Sequence, residues 1–241
     1  KVIPQDNKEA VKWYKLAAEQ GDAKAQSNLA FMYMNGKGVT QDHKEAIKLF
    51  ELAAEQGNAS AQSNLGVMYR IGQGVRQDNK EAVKWYRLAA EQGVPTAQYN
   101  LGVMYAIGQG IPQDNKEAVK WYKLAAEQGF ANAQGSLGLI YMNGKVVPQD
   151  NKEAVKWYKL AAGQGDARAQ NNLALMYTNG IGVSQDNTMA YVWYSIGAAN
   201  GNENGANNRD KIAKTMTLAA IEKAQAMARE CMSTKYKKCG Y

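Results

Sequence analysis

Trp13, Trp85, Trp121, Trp157 and Trp193 are spaced by 36 residues or by twice 36, and Leu49 fills the one vacant place. Self-similarity at a fixed period of this length means one supersecondary unit repeated, each copy too small to bury its apolar face alone. Three glycine series keep the same step: Gly21, Gly57, Gly93, Gly129, Gly165 and Gly201; Gly36, Gly72, Gly108, Gly144 and Gly180; Gly38, Gly74, Gly110 and Gly182. Asp6, Asp42, Asp78, Asp114, Asp150 and Asp186 do so too. The chain is an array and not a mosaic of unlike domains.

Each period reads as two helices. Over residues 79–92, Ala82, Val83, Tyr86, Ala89 and Ala90 fall at i, i+1, i+4, i+7 and i+8, the stripe of an amphipathic helix. Asp78 precedes it and Glu81 lies three residues on, a variant of the capping box that satisfies free N–H groups at a helix start. Gly93 follows, suited to the left-handed backbone that ends helices. Residues 97–105 place Ala97, Leu101, Met104 and Tyr105 on one face of a partner helix. Gly102 in its middle costs about 1 kcal/mol relative to alanine. Its recurrence as Gly66 and Gly138, with Ala30 and Ala174 elsewhere, predicts that two helices approach closely there.

The connecting loop, residues 108–114, has the composition of a turn. Its Gly-x-Gly lacks the preceding strand and the third glycine or Lys-Ser/Thr of a phosphate-binding loop. In the fourth copy Val146 replaces the second glycine. That loop either holds left-handed strain of about 1–2 kcal/mol or adopts another conformation.

Composition excludes several classes. A chain of 241 residues with 45% hydrophobic and 21% charged content has ample material for a core. No apolar run approaches the roughly 18 residues that span a bilayer, so a membrane-embedded chain is not expected. The start, Lys1-Val2-Ile3-Pro4, lacks an apolar signal core, so any export signal is expected to be already removed or never present. His43, at a helix start, is expected to face solvent, and no Cys, Asp or Glu stands at ligand spacing from it. The glutamates recur as capping and surface residues, and no nucleophile, base and orienter set is visible. The expectation is no enzyme, no cofactor and no metal. Lys80, Lys84 and Arg87 alternate with Glu81 and Glu91 on the outer face, so the net charge of +7 is not a phosphate-binding stripe. Nucleic acid is not an expected partner.

The motif A-x-A-Q-x-N-L-G-x-M-Y-x-x-G-x-G-V-x-Q-D-x-x-x-A-x-x-W-Y-x-x-A-A-E-Q-G resembles the Sel1-like repeat, a 36-residue relative of the tetratricopeptide repeat, across residues 7 to 201. The resemblance implies an all-α, right-handed superhelix of helix pairs, about thirteen helices in all, with an open concave groove. It cuts the chain into a half repeat at 1–21, full repeats at 22–57, 58–93, 94–129, 130–165 and 166–201, and a helical cap at 202–241. In the cap, residues 218–232 carry an apolar stripe at Leu218, Ile221, Ala224 and Ala228. A solenoid needs such an end to shield its open core.

Positions that vary between copies are free of the demands of the shared fold. In the first helix of each repeat they are Lys24, Ser60, Thr96, Asn132 and Arg168; Ser27, Ser63, Tyr99, Gly135 and Asn171; Phe31, Val67, Val103, Leu139 and Leu175; Met34, Arg70, Ala106, Met142 and Thr178; and Asn35, Ile71, Ile107, Asn143 and Asn179. Their spacing of i, i+3, i+7, i+10 and i+11 is one helical face, and in tetratricopeptide repeats that face lines the groove. It carries Phe31, Met34, Ile71, Tyr99, Ile107 and Met142, three basic residues and no acidic one. This predicts a groove for an extended peptide or partner helix, one with acidic residues or a free carboxylate. The row from Phe31 to Leu175 is instead expected to finish the packing between neighbouring repeats. Asn28, Asn64, Asn100 and Asn172, with Ser136, form a second row, which either holds a ligand backbone or bonds an adjacent helix. Gln26, Gln62, Gln98, Gln134 and Gln170 belong to the fold.

Cys231 and Cys239 are eight residues apart, too far for a disulfide within one continuous helix. The polar chain after Met232 can fold back, giving a disulfide in an oxidising compartment; the alternative is two free thiols. The expected function is a monomeric, non-catalytic scaffold of bacterial type, periplasmic or secreted, that binds a protein or peptide partner in envelope signalling or host contact. The candidate groove residues are Lys24, Asn28, Met34, Asn64, Arg70, Ile71, Tyr99, Asn100, Ile107, Met142, Arg168 and Asn171. Binding of cell-wall muropeptides by the same groove is the alternative.

Overall fold

The computed structural model describes residues 6–237 and Cys239. A lone helix, α1 (Asn7–Glu19), opens the chain. First and second helices then alternate: α2 (Ala23–Asn35), α3 (His43–Glu55), α4 (Ala59–Ile71), α5 (Asn79–Glu91), α6 (Pro95–Ile107), α7 (Asn115–Glu127), α8 (Ala131–Asn143), α9 (Asn151–Ala162), α10 (Ala167–Asn179) and α11 (Asn187–Ala199). The cap adds α12 (Glu203–Ala213) and α13 (Leu218–Ser233), and no strand occurs among the described residues. The fold is an all-α solenoid of helix pairs. Its packing falls into two compact units, residues 1–121 and 122–241.

Helix boundaries follow from local chemistry. Asp78 Oδ1 accepts hydrogen bonds from the Lys80 and Glu81 N–H groups at 2.8 and 3.1 Å. Glu81 does not turn back to the cap, as a capping box would require, but pairs with Lys84 at 3.3 Å. Such exposed pairs contribute about 0–1 kcal/mol, so the aspartate cap, at about 1 kcal/mol, is the firmer start signal. First helices end at glycines with left-handed backbone, as at Gly72 (φ 73°). The second loop glycine meets a double demand: Gly110 has φ 71°, and a Cβ there would lie 2.1 Å from the carbonyl oxygen of Asn79. Among the described residues only Lys235 and Tyr236 are left-handed without being glycine, so the Val146 loop takes another conformation and not left-handed strain.

Inside, the expected stripes are the buried ones: Ala82, Val83, Tyr86, Ala89 and Ala90 on α5, and Ala97, Leu101 and Met104 on α6. The mid-helix glycines mark a close approach. A Cβ on Gly66 would sit 2.4 Å from the Tyr86 ring, and one on Gly138 would sit 2.6 Å from the Tyr158 ring.

A ladder of buried amides ties helices together. Gln62, 4% exposed, donates to the Ala54 carbonyl at the end of α3 and accepts from Gln92, just past α5, at 2.7 Å. Gln26 and Gln56, Gln134 and Gln164, and Gln170 and Asn200 repeat the arrangement.

At the cap, α13 packs on α11. Met189, Val192 and Ile196 of α11 are buried where other copies carry a glutamate, a lysine or an exposed leucine. Leu218, expected on the buried stripe of α13, is 72% exposed, and Ala224, Ala228 and Cys231 carry the packing instead. Cys231 and Cys239 are joined in a disulfide with Cα atoms 4.6 Å apart. His43 departs from expectation: it is half-buried, with ring nitrogens 3.1 and 3.4 Å from Gln73 Nε2, because the Gly74 loop of the next repeat packs against it.

Gln62→Ala removes one of the two donors to the Ala54 carbonyl, the other being the Gly57 N–H at 3.0 Å, together with the acceptor of Gln92, and is expected to cost about 1 kcal/mol in urea unfolding. Exposed Gln20→Ala serves as the control, with a change within about 0.5 kcal/mol. Equal effects would remove the ladder from the account of stability.

Candidate functional site

The first helices present the varying face to solvent, since first helices of successive repeats touch one another only slightly. In the unit of residues 1–121, Lys24 is exposed and Asn28 and Met34 are half-buried on α2. Lys37 lies over the Phe31 ring at 5.4 Å. Ile71 and Ile107 are 50% and 54% exposed, while Tyr99 and Asn100 are half-buried on α6. Asn64 donates to the Ser60 carbonyl of its own helix, and Arg70 Nε donates to the Tyr86 hydroxyl at 3.3 Å. Ser27 is buried and takes no part in the surface.

In the unit of residues 122–241, Met142 is half-buried and Arg168 exposed. Asn171 accepts from Asn208 of α12 at 3.3 Å. Leu175, Thr178, Asn179, Tyr194, Asn208 and Lys211 bound a cleft on this face. The row from Phe31 to Leu175 completes inter-repeat packing only in part: Val67 packs against the core of the next repeat and Val103 is half-buried, whereas Phe31, Leu139 and Leu175 are exposed.

Sequence reasoning missed the tyrosines of the second helices. Their rings fill the core, but the hydroxyls reach the polar groups of the first helices: Tyr86 meets Arg70, Tyr158 accepts from Asn172 at 3.2 Å, and Tyr194 accepts from Thr178 at 3.4 Å. The available signal was Phe50 at the same phase, since a tyrosine kept elsewhere implies work for the hydroxyl. Asn172 thereby bonds an adjacent helix, and Ser136 bonds the Asn132 carbonyl of its own.

Burial disfavours the phenolate. It pushes Tyr158 up to about 12 against the opposing hydrogen bond from Asn172. Tyr86 is raised by burial with Arg70 opposing, and Tyr69 is pushed up to about 12 by burial and then by its hydrogen bond to Glu51. Among the described residues no three His, Cys, Asp or Glu side chains gather into a metal-holding group. None of their helices is long and apolar enough to cross a membrane.

An unfolded tyrosine ionises near 10. The folded protein keeps Tyr158 protonated higher, so this contribution is complete below pH 10 and is lost as pH climbs from 10 to 12. Tyr158→Phe is expected to flatten the alkaline fall in stability by up to about 1.4 kcal/mol per pH unit in that window. Urea unfolding at stepped pH reads this; an unchanged slope would assign the fall to other groups.

A family profile described as Sel1 repeat matches residues 2–22, 23–58, 59–94, 95–130, 131–166 and 167–202. The chain is similar to the crystal structure of a protective antigen present in uropathogenic Escherichia coli strains, with 44% identity and a TM-score of 0.77. That match covers 81% of this chain and only 42% of the antigen, so this chain spans less than half of the antigen's length. A Sel1 repeat protein from Oxalobacter formigenes is 36% identical, with a TM-score of 0.76 and coverage of 88% and 89% of the two chains. The immunity protein Pa5087 of Pseudomonas aeruginosa, at 23% identity and a TM-score of 0.53, covers 83% of this chain and 76% of its own, and shares the fold. No curated protein matches the chain.

Proposed function

The chain belongs to the Sel1 repeat family, whose members are generally non-enzymatic protein-interaction scaffolds, and from that premise we propose that its first-helix face binds a peptide or protein partner. The observation that carries this reading is a set of exposed apolar side chains, Phe31, Ile71 and Ile107, with Lys24 and Arg70 among them, at positions of the varying face that include no carboxylate. Apolar side chains left in water on an otherwise well-packed array favour a partner that covers them. The basic flank favours an acidic segment or a free carboxylate.

The partner-binding set is Lys24, Asn28, Met34, Asn64, Arg70, Ile71, Tyr99, Asn100 and Ile107 in one unit and Met142, Arg168 and Asn171 in the other. The protein acts as a monomer, periplasmic or secreted, in envelope signalling or host contact. A disulfide that pins the cap suits an oxidising compartment, and the similarity to a uropathogen antigen points the same way. A second reading rests on the Arg70–Tyr86 hydroxyl pair, whose mix of guanidinium and phenol also suits the carboxylates and amides of a muropeptide.

Arg70→Ala/Tyr99→Ala should keep the helix content and lose most of the partner recovered by the wild type from periplasmic or host extract. Recovery of every partner in equal amount would sink the face as the binding site. Calorimetric titration with a muropeptide separates the second reading: heat with the wild type that vanishes in the double variant supports it.

A further inference from the structure

Before the last second helix, α11, which closes on Ala199, one other breaks the repeat at its end. In the four before it the helix closes on Glu19, Glu55, Glu91 or Glu127, all exposed, whereas the corresponding residue after α9 is Gly163, which is half-buried. The loop closed by Cys231 and Cys239 lies over this position and places Tyr236 there. Lys235 and Tyr236 are both left-handed, with φ of 51° and 65°. The Tyr236 N–H donates to the Cys231 carbonyl at 2.8 Å, and its hydroxyl donates to Asn200 Oδ1 at 2.9 Å. Its ring lies against Gly165.

Between this ring and α9 is a cleft of about 600 Å³, walled by Lys152, Lys156, Lys159, Leu160, Gly163 and Tyr236. No carboxylate lines it. Glu153 pairs with Lys156 at 2.9 Å from outside the lining, which leaves a positive excess. The furrow over α1, α2 and α3 is the internal contrast: it holds one lysine, Lys15, with two glutamates, Glu19 and Glu45, so it has no positive excess. The repeat's own glutamate is therefore missing at a place where a tyrosine wall has been added and the lysines kept.

We propose that this cleft is a second binding site, distinct from the first-helix face, for an acidic peptide segment. An apolar side chain of the segment lies between Leu160 and Tyr236, and its carboxylates meet the lysines. Gly163 provides the floor, and the disulfide holds the tyrosine wall in place. Charge complementarity selects the occupant, because the lysine excess of a cleft without acids attracts an acidic segment, repels a basic one and gives a neutral one no Coulombic gain.

The test uses the full oxidised chain, labelled with nitrogen-15, and two probes: acetyl-Asp-Leu-Asp-Glu-amide and its uncharged analogue acetyl-Asn-Leu-Asn-Gln-amide. The acidic probe is expected to shift backbone amides at 152–164 and 231–237, and the analogue is not. Gly163→Glu restores the residue of the other repeats at a position with φ of −67°, which any side chain tolerates. It should fold normally and bind about tenfold more weakly, the order expected from a like charge beside the ligand. Lys152→Glu, on an exposed side chain, should weaken binding similarly. Equal shifts with both probes, no shift at α9, or undiminished binding in both variants would overturn the site. Shifts confined to the first-helix face would overturn it while leaving the proposed function standing.

Discussion

A primary amide is the one uncharged side chain that offers two donors and an acceptor at once, and a stacked helical array has a use for all of them where helices meet. Gln62 lies on α4, donates to the last turn of α3 and accepts from the residue that follows α5. Three helices thus share one buried group. A shorter or apolar residue would leave the carbonyl of Ala54 with the Gly57 N–H alone and break the link between the helices, and a charged one would not be tolerated there. The alanines that flank these contacts keep the helices close enough for the amide to reach both ways. Where the ladder ends, Asn200 replaces glutamine: its amide still donates to Gln170, and its carbonyl oxygen receives the hydroxyl of Tyr236. The cap loop is therefore attached to the same bonding system that sets the repeats.

Most of the fold was legible because each structural demand is stated several times. Asp at every second-helix start, glycine at two places in each loop, and small residues facing the aromatic at Gly66 and Gly138 are all independent statements of one geometry. What a period conveys poorly is a residue acting differently from its copies. Glu81 stands where a capping box would place it, yet its carboxylate reaches Lys84, because an i, i+3 lysine competes for it. By analogy with asparagine His43 is expected to face solvent, but the next repeat's loop presses on that position, as it does on Asn7, Asn79 and Asn151.

The candidate face was legible as a set of free positions, less so as a surface. Spacing puts Phe31, Leu139 and Leu175 on one helix side, and apolar character argues for burial. Whether anything covers them depends on how far apart successive first helices stand, a tertiary quantity that no single helix records. The tyrosine hydroxyls show the same limit from the other direction. Tyr86 and Tyr158 read as core by phase, and their rings are core, yet one polar atom on each reaches a polar group of a first helix. Phase locates a side chain's base, not its tip.

In an array, information about function lies in departure from the repeat. Two departures here have opposite physical causes. Along α11, Met189 and Val192 replace charged surface residues with apolar ones and Ile196 is buried where other copies expose a leucine, and the structure explains them completely: α13 lies on that helix and excludes water. At Gly163 the change runs the other way, removing a charge and a side chain while the lysines around it remain. The loop that covers Gly163 accounts for the loss of an exposed glutamate there, and the acid-free lining left among the retained lysines is what suits the cleft to an acidic segment.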